Sequence, residues 1–219
     1  MSELIKRLFT SIVLISLLFL SIINIYVLAI FLIICFFQII YECYFLLKRN
    51  FKKNKKFKLY LLTLLSIIYI AYFNIQIFVT FLNNNSSELI LLYFILTTCV
   101  FTDIGGYIFG KIFRGKKLTK ISPNKTYSGL IGSFILSLIF TIIFFINYLD
   151  IEKIILMSLI ISSVSQLGDI FISYIKRNAK VKDTGDILPG HGGILDRFDG
   201  LIFALPFGFF IFKIIWIKK

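Results

Sequence analysis

This 219-residue chain has few of the residues that metal centres and disulfide scaffolds need: three Cys, one His, one Trp and three Pro. Cys35, Cys43 and Cys99 all lie in apolar runs, without Cys-x-x-Cys spacing or a nearby His. That excludes a disulfide framework and a zinc site, and the thiols are expected to be small buried hydrophobes. Charged residues are also scarce, at 16%, against roughly 25% in ordinary soluble proteins. Acids are scarcest, with 11 Asp and Glu against 24 Lys and Arg, for a net charge of +13.

What is abundant is apolar. Hydrophobic residues make up 58% of the chain, 26 of them Phe, and mean hydropathy is +0.93. A soluble domain sits near roughly 45–50% apolar and could not bury this excess. The expected fold class is all-α: a polytopic integral membrane protein forming a single membrane domain over residues 1–219. Spans need about 20 apolar residues, and approximately seven such stretches are present. Leu8 to Cys43 carries almost no charge and is long enough for two spans with a turn near Asn24. The rest run from Phe57 to Leu82, Leu89 to Gly110, Gly129 to Leu149, Ile154 to Ile175 and Phe198 to Ile217. Lys6-Arg7 before an apolar run imitates a signal peptide, but no small-residue cleavage site follows, so a retained first span is expected.

Those spans sort the charge. The N-terminus, Lys48 to Lys58, Lys111 to Lys125 and Lys176 to Arg197 fall on one side and hold 20 of the 24 basic residues. The opposite connections, Asn83 to Glu88 and Asp150 to Lys153, hold one. The positive-inside rule makes the basic side cytoplasmic, with the N-terminus inside. Topology therefore explains most of the charge, and nucleic acid is not expected as a partner. Basic residues on that face also suit anionic membrane lipids.

Three elements place polar residues where lipid should exclude them. Ionisable groups within a span cost about 2.5 kcal/mol or more and are functional candidates by default. In the span Ile154 to Ile175, Ser162, Gln166, Asp169, Ser173 and Lys176 recur at spacings of 4, 3, 4 and 3, so they share one helical face. Asp103, Gly106, Tyr107 and Gly110 form a second stripe, whose glycines would also permit close helix packing. The third element is the loop from Lys176 to Gly200, KRNAKVKDTGDILPGHGGILDRFDG. It holds the only His, His191, and four acids: Asp183, Asp186, Asp196 and Asp199. Asp196 and Asp199, three apart, can project from one face of a helical first turn.

Carboxylates from separate helices, with Lys and Arg nearby and no His/Cys cluster, are poor zinc ligands. They suit Mg²⁺, which takes one or two carboxylates plus substrate phosphates. Lys125, Lys176, Arg177, Lys182 and Arg197 could then neutralise phosphate charge during transfer. Gly110-x4-Gly115-Lys116-Lys117 imitates a phosphate-binding loop, but it lacks the final hydroxyl and follows a membrane helix rather than a strand. A transporter could also use intramembrane carboxylates, but it predicts paired broken helices in two halves, a pattern absent from the sequence.

The run from Ser173 through Lys176-Arg177, Lys182-Asp183, Gly185, Leu188-Pro189, His191-Gly192-Gly193 and Asp196-Arg197-Phe198 to Asp199 resembles the signature of the phosphatidate cytidylyltransferases (CDP-diacylglycerol synthases). Ser165-Gln166-Leu167-Gly168-Asp169, Ser122-Pro123-x-Lys125-Thr126 and Asp103-x-Gly105 extend the resemblance upstream. A CTP-using lipid kinase would share the membrane setting without the whole run. The resemblance implies a reaction of CTP with phosphatidic acid to give CDP-diacylglycerol and pyrophosphate, in a polar cavity open to the cytoplasm. It implies that Asp169 and Asp196 hold Mg²⁺, with or without K⁺, and that Lys176, Arg177, Lys182 and Arg197 contact phosphates. Asp183, His191 and Asp199 would shape the pocket, while Ser122, Lys125, Thr126 and Asp103 join the cofactor-binding set. It further implies a homodimer in a bacterial inner membrane, with N-terminal helices to about residue 100 and catalytic helices and loops beyond. Two positions depart from the pattern: Ile172 and Ser128 stand where the family usually has Glu.

Overall fold

The computed structural model describes residues 13, 16–17, 19–51, 56–119, 121–122, 125–188, 190 and 192–216. The helices are α1 (Ile25–Asn50), α2 (Lys56–Asn83), α3 (Ser86–Phe113), α4 (Tyr127–Phe145), α5 (Ile151–Asn178), the single turn α6 (Leu195–Phe198) and α7 (Leu201–Trp216). Among the described residues, α1 to α5 are long and apolar enough to cross a membrane. Seven spans were expected. About half of the first lies outside the described residues, and its described residues 13, 16–17 and 19–23 are helical. The last corresponds to α7, whose 16 described residues reach about 24 Å at 1.5 Å per residue.

The helix boundaries follow local chemistry. Asn24, where a turn was expected, is extended, and its Oδ1 accepts from Tyr26 N at 2.9 Å to start α1. In the Asn83-Asn84-Asn85 run, Asn84 takes a left-handed φ of 48°, a conformation Asn tolerates better than most residues. Asn85 then caps α3 by accepting from Ser87 N at 3.1 Å. Thr126 caps α4 through Gly129 N at 3.1 Å. The helices expose large apolar side chains, such as Phe37 at 66% and Ile112 at 66%. Exposure of that kind is what lipid-facing helix surfaces require.

The chain divides into two compact units: residues up to Asn83 with Ile175–Phe198, and Asn84–Tyr174 with the residues from Asp199 on. In the first, α1 packs on α2, and α6 lies against α1. Phe73 of α2 meets the Phe198 ring edge-on at 6.4 Å. In the second, glycines bring α3 and α4 together. A Cβ on Gly105 would stand 2.5 Å from Gly132 O, and one on Gly129 would stand 2.7 Å from Gly106 O. So Gly105 and Gly106 act chiefly as packing residues. α7 packs on α3, and Gly208 lies against Ile95 and Ile161. Cys35 and Cys99 are buried, and all three cysteines are free.

Candidate active site

The polar stripe of α5 begins as a hydrogen-bonded seam. Thr102 Oγ1 donates to Ser162 Oγ at 2.9 Å, Gln166 Nε2 donates to the same oxygen at 3.4 Å, and Ser133 Oγ donates to Thr102 O at 2.8 Å. Each hydroxyl finds a partner inside the bundle, as a polar group in an apolar setting must. Two turns further on, the stripe changes character. Asp169 Oδ2 forms an ion pair with Lys125 Nζ, each side chain about a quarter exposed (26% and 27%), and Ser173 Oγ donates to Asp169 Oδ1 at 3.3 Å. Gly168, beside Asp169, has no room for a side chain: a Cβ would fall 2.6 Å from Phe203 Cδ2 and 2.9 Å from Asp199 O. Ser165 is similarly tight against Gly200. The small residues of the Ser165-to-Asp169 motif thus seat the start of α7.

Lys125 is aimed by the loop after α3. That loop folds back through an isolated bridge between Lys117 and Thr126, with Leu118 N donating to Lys125 O at 2.7 Å. Lys125 N donates to Ser122 O at 3.1 Å. Ser128 Oγ donates to Arg114 O and lies 3.0 Å from Thr126 Oγ1. A short hydroxyl therefore serves as a loop fastener where a Glu was expected. Pro123 lies outside the described residues. Asp103 is exposed on α3.

The signature loop is organised around Asp196. Its Oδ1 pairs with Lys176 Nζ at 2.7 Å, and the two side chains are only 7% and 10% exposed. Its Oδ2 accepts from Thr184 N at 2.8 Å, Gly193 N at 3.0 Å and Thr184 Oγ1 at 3.0 Å. Burial pushes the Asp196 carboxyl up, but the hydrogen bonds and charge of Lys176, with the Thr184 and Gly193 amides, hold it below the ordinary aspartate value. Gly192 has a left-handed φ of 81° and packs against Asp183 Cβ and Asp196 Oδ2. Arg177, Lys182, Asp183 and Arg197 are exposed around this centre, Arg177 donating to Val181 O at 3.3 Å. Asp199 Oδ1 accepts from Gly200 N at 2.8 Å, where α7 begins. His191 and Pro189 lie outside the described residues. Lys176–Asp196 and Lys125–Asp169 are thus each brought together as an ion pair.

Two residues of this centre escaped the sequence reading. Thr184 is buried and bonded to Asp196. Glu42, fully buried on α1, accepts hydrogen bonds from Thr184, Ile194 and Leu195. The signal for Glu42 was a lone carboxylate in an otherwise uncharged apolar run; Thr184 carried none. Among the described residues, no group of three or more His, Cys, Asp or Glu is placed to hold a metal ion.

The chain thus has helices long and apolar enough to cross a membrane and a Gly-rich loop centred on a Lys–Asp pair. A sequence model of the cytidylyltransferase family matches residues 2–215, and the chain belongs to that family. It is similar to a phosphatidate cytidylyltransferase of Staphylococcus haemolyticus, 52% identical over 109 residues, which cover 48% of this chain and 42% of the relative. It is also similar to one of Rickettsia bellii, 45% identical over 143 residues, covering 60% and 61%. One of Bacillus subtilis is 46% identical over 114 residues, covering 50% and 42%. The match spans about half the length of these curated relatives.

Proposed function

We propose that the protein is a phosphatidate cytidylyltransferase that joins CTP to phosphatidic acid. An oxygen of the lipid phosphate attacks the α-phosphorus of CTP, the bond from that phosphorus to the β-phosphate bridge breaks, and pyrophosphate leaves. The observation that carries this reading is the family match over residues 2–215, which contains the signature loop and its buried Lys176–Asp196 pair. The similar proteins named above share the activity in their names.

In this reading Lys176, Arg177, Lys182 and Arg197 hold phosphate oxygens, and Arg177, Lys182 and Arg197 are exposed. Asp183, His191 and Asp199 shape the pocket. Ser122, Lys125, Thr126 and Asp103 serve nucleotide and ion binding. The donor chemistry fits Mg²⁺, since both carboxylates offer hard oxygen ligands and a site built with substrate phosphates needs only one or two. Asp169 fits more readily: its partner is the ammonium of a flexible, partly exposed Lys125. Asp196 has both oxygens committed and would have to release Lys176 from Oδ1. When bound, the ion would neutralise charge developing on the transferred phosphate. The assay is run with and without K⁺ as a second ion.

The loops carrying these residues would face the cytoplasm of a bacterial inner membrane, where basic residues concentrate and soluble CTP is supplied. We also propose a homodimer, which light scattering in detergent reads directly as mass. The deciding assay is purified full chain with phosphatidic acid vesicles, Mg²⁺ and labelled CTP. Formation of CDP-diacylglycerol is expected, and its absence from folded protein refutes the reading. Asp169→Asn removes a partly exposed pair worth about 0–1 kcal/mol of stability, so it should abolish turnover while leaving thermal unfolding nearly unchanged. Near-normal turnover would refute the metal role.

A further inference from the structure

A carboxylate outside the signature loop holds that loop in place. Glu42 lies on α1, eight residues before its end, and is 0% exposed. Its Oε1 accepts from Gln38 Nε2 at 2.8 Å and Ile194 N at 3.0 Å. Its Oε2 accepts from Leu195 N at 2.9 Å and Thr184 Oγ1 at 2.6 Å. Three of the four donors come from the loop, 142 to 153 residues away in sequence.

This arrangement reaches Asp196 directly. The Thr184 hydroxyl that touches Glu42 lies 3.0 Å from Asp196 Oδ2, so one hydroxyl bridges the two carboxylates. The consecutive amides of Gly193, Ile194 and Leu195 are divided between them: the first donates to Asp196, the next two to Glu42. The loop is pressed close. A Cβ on Gly193 would collide with Thr184 Oγ1 and Glu42 Oε2, and one on Gly185 would stand 3.3 Å from Glu42 Oε1. All four neighbours are donors. Only an acceptor-only side chain satisfies them, because a glutamine would turn its NH₂ toward two of them. An amide of the same shape therefore sets its NH₂ against the backbone N–H of Ile194 or of Leu195.

We propose that Glu42 is a positioning residue for cytidylyl transfer, acting through Thr184 and the amides of residues 193–195 to fix Asp196 and its partner Lys176. The inference rests on the cytidylyltransferase reading of the loop. Glu42 itself is fully enclosed by protein and acts only through the residues it holds.

The test uses the full chain in phosphatidic acid vesicles with Glu42→Gln, Glu42→Asp and Thr184→Val. Glu42→Gln should lower kcat by about 10–100-fold, the usual effect of losing a residue that orients a ligand, and leave KM for phosphatidic acid near the wild-type value. Glu42→Asp, which keeps an acceptor-only group, should recover part of the loss. Thr184→Val should cost less in the Glu42→Gln background than alone, because both act through one hydroxyl. Hydrogen exchange supplies a readout independent of turnover: residues 184–198 should exchange faster in Glu42→Gln, with α3 and α4 unchanged. Wild-type kcat and exchange in Glu42→Gln would overturn the proposal. Faster exchange throughout the chain, with no rescue by Asp, would also overturn it by reducing Glu42 to a general packing role. If the wild type makes no CDP-diacylglycerol, the cytidylyltransferase reading falls, and local exchange alone decides whether Glu42 anchors the loop.

Discussion

Replacing Asp196 with Asn tests whether this carboxylate organises its loop as well as serving the reaction. Asp196 receives three donors, one of them the ammonium of Lys176 at 2.7 Å, and lies 3.0 Å from the Thr184 hydroxyl, in a pair whose side chains are 7–10% exposed. Asparagine offers one oxygen and one NH₂. If the oxygen faces Thr184 and Gly193, the NH₂ faces Lys176, and a buried ammonium loses its counter-charge. Removing one partner of a buried pair costs about 3–5 kcal/mol. At about 2–4 °C per kcal/mol for a chain of this size, the melting temperature should fall by about 6–20 °C. With the half-buried Cys43 replaced by Ser, a thiol-reactive dye follows the melt, because Cys35 and Cys99 are buried and free.

The pH dependence carries a definite sign. Asp196 has a folded pKa held below its unfolded value, so its stabilisation is complete above the unfolded value of about 3.9 and is lost as pH falls through the folded value. Asp196→Asn should lack that acid limb. Adding Lys176→Met should restore much of the lost stability by removing the unpaired charge. The reasoning fails if Asp196→Asn melts within about 1 kcal/mol of wild type, or if the double variant is no more stable than the single. The same result bears on kinetics: lost turnover in Asp196→Asn cannot be assigned to metal binding alone, which makes Asp169→Asn the cleaner metal test.

Lys125→Ala breaks a pair a quarter exposed on each side and should change stability by no more than about 1 kcal/mol. If Lys125 serves the nucleotide, turnover should fall by more than about ten-fold, about 1.4 kcal/mol in the barrier; an unchanged rate removes it from the site. Gly132→Ala would drive a methyl into Phe109 Cβ and Cγ at the α3–α4 contact. Overpacking of this kind costs about 1–3 kcal/mol, so its melting temperature should fall, and an unchanged melt would show that the two helices can move apart.

Much of the fold is legible because lipid imposes a simple rule: apolar runs of sufficient length become helices that satisfy their own backbone. The segments Phe57 to Leu82 and Ile154 to Ile175 lie within α2 and α5, with differences of a few residues at each end. The last segment, Phe198 to Ile217, contains α7, which begins just after Gly200 packs against Ser165. The candidate site was legible in its loop, where charged and glycine residues are concentrated. Glu42 was not, since one acid in an apolar run says that a partner is needed without saying where it is.

By itself the sequence determined the membrane class, the sorting of basic residues to one side of the expected spans, and the signature residues from Ser173 to Asp199. The first two follow from composition and the spacing of apolar runs, the last from resemblance to a family signature, and all are local along the chain. The tertiary structure decided the partners: Lys125 for Asp169 across 44 positions, Gly132 against Gly105, and Glu42 for Thr184 across 142. It also decided that Asp196 spends one oxygen on Lys176 at the end of α5 and the other on its own loop. Such pairings depend on which helix faces meet. A buried acceptor takes whatever donors packing brings within about 3 Å, and sequence distance does not enter that choice.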